Sequence, residues 1–273
     1  MSAAGQETGR ARAREFHGEI VDRRPVMGDS WLITFTAPAE VVGAARAGHF
    51  VNLLVRDADV HDPLLRRPFS IFAADVDASM LTVLVRPYGR GTARLCAMPE
   101  GTVIDVFGLL GNTFTVAPRS SHLLMVGGGV GAAPLMMLAR EAVGRGLSVT
   151  YALGAASADG LLEPGEFPDE VEYIVATDDG SAGHHGFVTD LVVPYLRWAD
   201  QVFACGPEPM FVSLRNVVRT HRIGGRPTVQ VSVERTMACG VGACLGCMVE
   251  TKRGARASCV EGPVFDMEAL EWG

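Results

Sequence analysis

Four of the chain's six cysteines fall within 21 residues, as Cys239-x4-Cys244-x2-Cys247-x11-Cys259. No other feature narrows the possible folds so far, because thiols this crowded either cross-link or share a metal. They are not spread as in a secreted disulfide framework, and in a reducing compartment such packing points to metal. Thiolates are the ligands of iron–sulfur centres, and C-x4-C-x2-C with a separate fourth cysteine is the spacing of a [2Fe–2S] site. Gly240, Gly242 and Gly246, with the small Ala243, let the backbone wrap closely and aim N–H groups at sulfur. Zinc is the competing occupant. It favours paired short spacings, whereas here three cysteines crowd one glycine-rich loop and only the fourth stands apart.

The rest of the chain must supply the core such a short segment lacks. With 273 residues, 48% of them apolar, it has material for one large or two ordinary domains and is no disordered chain. Lysine and arginine number 24 against 31 acidic residues, a net charge of −7. That balance gives no electrostatic footprint for nucleic acid. The longest stretch without a charge or histidine, Leu123 to Ala139, is 17 residues and carries Gly127, Gly128, Gly129, Gly131 and Pro134, so no membrane span is expected. The first fifteen residues are small, polar and arginine-containing, unlike a signal peptide. The expectation is a cytoplasmic chain with a loose tail over 1–14.

From Phe16 to about Val116 the pattern is of short strands. Trp31–Phe35, Phe50–Val55, Leu81–Val85 and Thr102–Phe107 are rich in β-branched and aromatic residues, and prolines and glycines punctuate them. This predicts an antiparallel barrel or sandwich. At Ser120 the rhythm changes. Strands at Leu123–Val126, Ser148–Leu153, Tyr173–Thr177 and Gln201–Ala204 alternate with helical stretches, the first over Pro134–Val143, which predicts a parallel α/β sheet. One more strand, Thr228–Val233, leads into the cysteine-rich end.

Three further stretches bear on chemistry. Gly127-Gly-Gly-Val-Gly-Ala-Ala-Pro134 follows a strand and opens a helix, where glycines admit a pyrophosphate and the helix start supplies N–H donors. It fits the dinucleotide fingerprint only when forced, since no acid follows the second strand until Asp159; a tight turn without ligand is the alternative. Cys205-Gly-Pro-Glu-Pro-Met210 ends another strand of the same sheet, so Cys205 either lies beside a nicotinamide or is simply buried. In Leu65-Arg-Arg-Pro-Phe-Ser-Ile71, Arg67 suits a phosphate and Ser70 a ring nitrogen, the alternative being a surface arginine pair.

Taken together, Arg-Pro-x-Ser, Gly-Gly-Gly-x-Gly-x-x-Pro, Cys-Gly-Pro-x-Pro-Met and the cysteine spacing make the chain, over roughly Phe16 to Phe265, resemble the ferredoxin reductase-like flavoproteins. Among them it is most similar to the electron transfer subunits of NAD-linked dihydroorotate dehydrogenase B. The resemblance implies a multi-domain β and α/β fold: an antiparallel β-barrel FAD domain over 15–118, a parallel α/β NAD domain over 119–225 and a small [2Fe–2S] domain over 226–273. It implies FAD at Arg67, Pro68, Phe69 and Ser70, at Leu84, Val85 and Arg86, and at Gly91 and Thr92. It implies NAD at Gly127, Gly128, Gly129, Gly131 and Pro134 and at Cys205, Gly206 and Pro207, with Asp178, Ser181, Gly186, Val188 and Thr189 also fitting. The cluster ligands would be Cys239, Cys244, Cys247 and Cys259. Gly108-Leu-Leu-Gly-Asn112 carries Leu109 where that family usually has proline, and Cys96 matches nothing.

The implied partner is an FMN-containing dehydrogenase subunit that oxidises dihydroorotate, with this chain delivering the electrons to NAD+ and no side chain here acting on dihydroorotate. A heterotetramer of two subunits of each kind is the expected assembly. The lack of Arg or Lys in Gly154-Ala-Ala-Ser-Ala-Asp159 favours NAD over NADP, since a 2′-phosphate would go unpaired. Competing expectations are a flavin–iron–sulfur subunit of a ferredoxin–NADP transhydrogenase or hydrogenase complex and, in a different class, a nucleotide-binding module with structural zinc.

Overall fold

The computed structural model describes residues 13–56, 61–221 and 227–272. Most of the expected tail over 1–14, and the expected boundary between 225 and 226, lie outside these. The first half contains β1 (Arg14–Met27), β2 (Ser30–Thr36), α1 (Ala39–Ala44), β3 (Phe50–Leu54), β4 (Arg67–Asp75), β5 (Met80–Val85), α2 (Arg90–Ala97) and β6 (Val103–Leu110). The six strands close into an antiparallel barrel in the order β1-β2-β5-β4-β3-β6. Alternation does the sorting: Ile33, Phe35, Val51, Leu53, Ile71, Leu81, Val83, Val85, Ile104 and Val106 point inward and are fully buried. The α2 helix covers one end, setting Leu95 and Cys96 into this core.

The second half runs β7 (His122–Gly128), α3 (Ala132–Gly144), β8 (Ser148–Ala155), β9 (Val171–Thr177), β10 (His184–His185), α4 (Val188–Val192), β11 (Gln201–Cys205), α5 (Glu208–His221) and β12 (Thr228–Ser232). Then come β13 (Met248–Val249), β14 (Arg256–Ala257), α6 (Ser258–Glu261) and β15 (Val264–Asp266). Seven strands form one sheet in the order β10-β9-β8-β7-β11-β12-β15. All its pairings are parallel except that of β12 with β15. Two strands of the cysteine-rich end thus belong to this sheet, and β13 and β14 pair separately.

The two halves share a core. The first eight residues of α3, Ala132 to Ala139, carry no charge and are all buried, because the helix packs on β4 of the barrel and on β7, β8 and β11 of the sheet. The Tyr151 hydroxyl, itself buried, donates to the Ala132 carbonyl at 3.0 Å and pins the start of that helix. Among the described residues no helix is long and apolar enough to cross a membrane.

Candidate functional site

The carboxyl ends of the parallel strands open along one edge of the sheet, where crevices take ligands. A cavity of about 870 Å³ lies there. Its walls come from Gly128 and Gly129 at the end of β7, Gly154 to Ser157 at the end of β8, Asp178 after β9 and Pro207, Pro209 and Met210 after β11. Val188 and Thr189 of α4 complete that side, while the β1–β2 turn, Met27 to Ser30, closes it from the barrel. Gly28 N–H donates to the Asp159 carbonyl, which docks that turn on the sheet domain.

A second cavity, of about 400 Å³, lies between the barrel and the sheet. Pro68, Phe69 and Ser70 of β4, with Leu84 and Arg86 around the end of β5, form its barrel wall. Ser232 to Met237, after β12, form the other. Arg86 and Val130 line both cavities, so the two adjoin. Arg86 is held by Asp29 at 3.1 Å.

Of the expected residues, some line these walls and others support them. Val85 is wholly buried and faces the barrel interior, as strand alternation requires when Leu84 and Arg86 face out. The paired arginines separate: Arg66 is bound to Asp105 and Glu15, whereas Arg67, among the described residues, donates only to the Leu65 and Arg66 carbonyls. Gly91 sits against the Arg67 guanidinium, and neither these two nor Thr92 forms part of the smaller cavity's wall. The Thr92 hydroxyl is engaged with the Gly89 N–H and carbonyl, capping α2.

In the glycine loop, Gly128 and Gly129 line the larger cavity; Gly127, Gly131 and the buried Pro134 do not. Gly131 is there for packing, since a Cβ on it would stand 2.3 Å from the Cys205 carbonyl oxygen. From the second strand-end motif, Pro207 reaches the cavity wall, and Gly206 lies behind it against Gly128. Cys205 is fully buried; its Sγ faces Glu234 Oε1 at 3.9 Å instead of the cavity. Burial raises the thiol well above its ordinary range, and burial likewise raises the Glu234 carboxyl, offset in part by the thiol. Glu234 lines the smaller cavity. Sequence reasoning passed over it, although an acid directly after the apolar strand Thr228–Val233 was a signal. Cys96, unassigned from sequence, is a core thiol that donates to the Val85 carbonyl at 3.9 Å and is pushed by burial to about 11.

The four clustered cysteines come together, Cys239 beside Cys244, and Cys259 beside Cys247 and near Cys239. Backbone N–H groups are aimed at sulfur: Val241 at Cys239 (3.4 Å), Gly242 at Cys259 (3.2 Å) and Cys259 at Cys247 (3.4 Å). Burial opposes the Cys239 thiolate, but N–H donors from Val241, Cys244 and Ala243 outweigh it and bring the thiol to about 6; burial pushes Cys259 up to about 12. Gly240 (φ +74°), Gly242 (φ +77°) and Leu245 (φ +57°) hold the left-handed conformations that turn these donors inward. Four neighbouring thiols ringed by N–H donors to sulfur suit an iron–sulfur centre. Met237, two residues before Cys239, lines the smaller cavity and packs with Cys247 and Cys259.

Comparison with known proteins agrees with this geometry. Residues 234–271 match the model of the iron–sulfur cluster binding domain of dihydroorotate dehydrogenase B. The chain is 36% identical to the dihydroorotate dehydrogenase B (NAD(+)) electron transfer subunit of Geobacillus thermodenitrificans, covering 90% of this chain and 94% of that one. It is 34% identical to the corresponding homolog of Aquifex aeolicus, over 94% and 98%. A solved NADH-dependent reduced ferredoxin-NADP oxidoreductase, described in connection with flavin-based electron bifurcation, superposes with a TM-score of 0.81 at 30% identity, over 93% of this chain and 90% of that one. The Amycolatopsis cytochrome P450 reductase (TM-score 0.65, 21% identity, 80% and 69%) shares the fold.

Proposed function

Because the chain belongs to the family of dihydroorotate dehydrogenase B electron transfer subunits, we propose that it carries electrons from a partner FMN-containing dehydrogenase subunit to NAD+, using a [2Fe–2S] centre and FAD, in pyrimidine synthesis. The observation that carries this reading is contiguity: Cys247 and Cys259 pack with Met237, Met237 lines the smaller cavity, and that cavity shares Arg86 and Val130 with the larger one. When bound, flavin supplies the exchange between one-electron and hydride chemistry that joins an iron–sulfur centre to a nicotinamide.

The flavin ring is assigned to the smaller cavity, against Pro68, Phe69, Ser70, Leu84 and Arg86, with Arg67, Gly91 and Thr92 on the phosphate side. The nicotinamide nucleotide is assigned to the larger cavity, at Gly128, Gly129 and Pro207. Gly127, Gly131, Pro134, Cys205 and Gly206 shape that wall from behind, and Val85 acts through the strand that carries Leu84 and Arg86. Asp159 and Asp178 on the wall disfavour a 2′-phosphate, which supports NAD over NADP. Buried Glu234, accepting from Cys205 and facing the smaller cavity, can hold a proton at the junction. Cys239, Cys244, Cys247 and Cys259 are the cluster ligands. The functional division is 15–118, 119–225 and 226–273.

The partner would dock over the cysteine loop. Cys244 is exposed there, flanked by Val241 and Leu245, which are 53% and 65% exposed. A reducing, cytoplasmic setting is part of the same reading. The alternative is a subunit of a ferredoxin–NADP transhydrogenase, favoured by the 0.81 superposition.

One experiment separates the two. The chain is purified with whatever it binds, its iron, acid-labile sulfide and flavins are assayed, and dihydroorotate-dependent NAD+ reduction is measured. The expected result is FAD and iron–sulfur in this chain, FMN in the partner, and NAD+ reduction only by the complex. A colourless chain without iron or sulfide, or dihydroorotate oxidation by this chain alone, would overturn the proposal.

A further inference from the structure

Asn52 breaks the pattern of its strand. It lies in the middle of β3, between Val51 and Leu53, which fill the barrel core. Its own side chain points the other way, on the face that also carries Phe50, and its cross-strand neighbours are Pro68 on β4 and Phe107 on β6. Asn52 is 0% exposed, and neither its Oδ1 nor its Nδ2 has a hydrogen-bond partner among the described residues. A carboxamide buried this way loses its hydration without a partner to replace it.

What lies against it is the cysteine loop. A Cβ on Gly240 would stand 2.8 Å from Asn52 Nδ2, so only glycine lets the backbone beside Cys239 rest on this carboxamide. Asn52 forms no part of the wall of the smaller cavity, although its neighbours Phe50 and Pro68 do. A flavin in that cavity therefore does not meet it. It faces the cysteine loop at Gly240, where Leu110 also lies, and Leu110 packs in turn in the cluster that holds Cys247 and Cys259.

We propose that Asn52 Nδ2 donates a hydrogen bond to the sulfur of the iron–sulfur centre, and so is a barrel residue that tunes a centre whose ligands all lie more than 180 positions away in the sequence. The inference rests on the cluster reading given above. N–H donors to sulfur stabilise the form carrying the extra electron, so the donor raises the reduction potential. A positioning role alone would leave the potential unmoved.

The test uses the holo-complex carrying asparagine labelled with 15N in its side chain. Pulsed electron paramagnetic resonance of the reduced cluster should detect a 15N coupling, and it should vanish in Asn52→Leu while Asn112 and Asn216 stay labelled. In a potentiometric titration, Asn52→Leu should shift the cluster to lower potential by about tenfold in its reduction equilibrium, about 59 mV for one electron, with the FAD potentials unchanged. If Asn52→Leu does not fold, the label in the unaltered protein decides. No 15N coupling there, a coupling only to the flavin, or an unchanged potential in a loaded Asn52→Leu protein overturns the proposal. Absence of iron and sulfide from the unaltered complex overturns the cluster reading itself, which is a separate and earlier result.

Discussion

Two glycine-rich loops flank the proposed sites, and they use glycine in different ways. In the loop over 127–134, Gly128 and Gly131 are demanded by neighbours: added Cβ atoms would collide with Pro207 and with the Cys205 backbone. In the loop over 239–247, Gly240 and Gly242 are demanded twice over: added Cβ atoms would stand 2.8 Å from Asn52 Nδ2 and 2.9 Å from Val260 Cγ2, and their backbone angles, φ +74° and +77°, turn N–H groups onto sulfur. The first loop is shaped by the folded protein around it. The second is shaped toward a guest. A run of glycines in a sequence therefore does not say which of the two is meant; the contacts do.

The sharpest break between the loops should come from Cys259→Ser. Iron and sulfide content and partner-driven NAD+ reduction should fall to background, while nucleotide binding by equilibrium dialysis and NADH oxidation with an artificial acceptor persist. Loss of nucleotide binding as well would mean that the two loops are one unit.

Both loops stand on a common frame, and acid should weaken that frame. His49 is buried beside Arg46, and burial first, then Arg46, lower it from 6.5 to about 4. The unfolded chain binds the proton more readily, so this contribution is complete above pH 6.5 and is lost as pH falls toward 4. The loss is roughly 3 kcal/mol at most. Urea unfolding across that range should show it, and His49→Gln should flatten the profile; an unchanged slope in that variant would refute the assignment.

Gly131→Ala should cost about 2–3 kcal/mol, because its Cβ meets backbone that cannot swing aside. Thermal unfolding reports the loss, and nucleotide affinity should drop with it. Gly129→Ala, at φ +54° with open space around it, should cost only about 1 kcal/mol. If the two variants proved equal by the same measurement, the contrast between packing and backbone angle would fail.

Much of this architecture was legible in the chain. Apolar alternation marked β2, β3, β5 and β6, and the change of rhythm at Ser120 marked the parallel sheet. The β1 strand was not singled out because it is long and largely polar; of its fourteen residues only Gly18, Ile20 and Met27 are buried. The β4 strand hid behind Arg67 and Pro68 at its start. The cysteine spacing announced its site because ligands for one group lie close in sequence. Glu234 and the wall from Met27 to Ser30 did not announce theirs, since their roles arise only where barrel and sheet meet. Cys205 was placed on the right strand end, but its thiol faces away from the cavity, and no sequence rule reads that direction.

The strands flanking the cysteine segment have one more consequence. Departure at Ser232 and return at Val264 put both ends of that segment on paired positions of one ladder, and the Val233 amide closes the neck on the Pro263 carbonyl at 2.8 Å. The segment is thus an excursion whose two ends share one rung of the sheet, and it is tied again to the barrel, where Asn112 Nδ2 donates to the Glu261 carbonyl at 3.0 Å and Gly240 rests on Asn52. A protease nick near its tip would leave both stubs anchored at that rung.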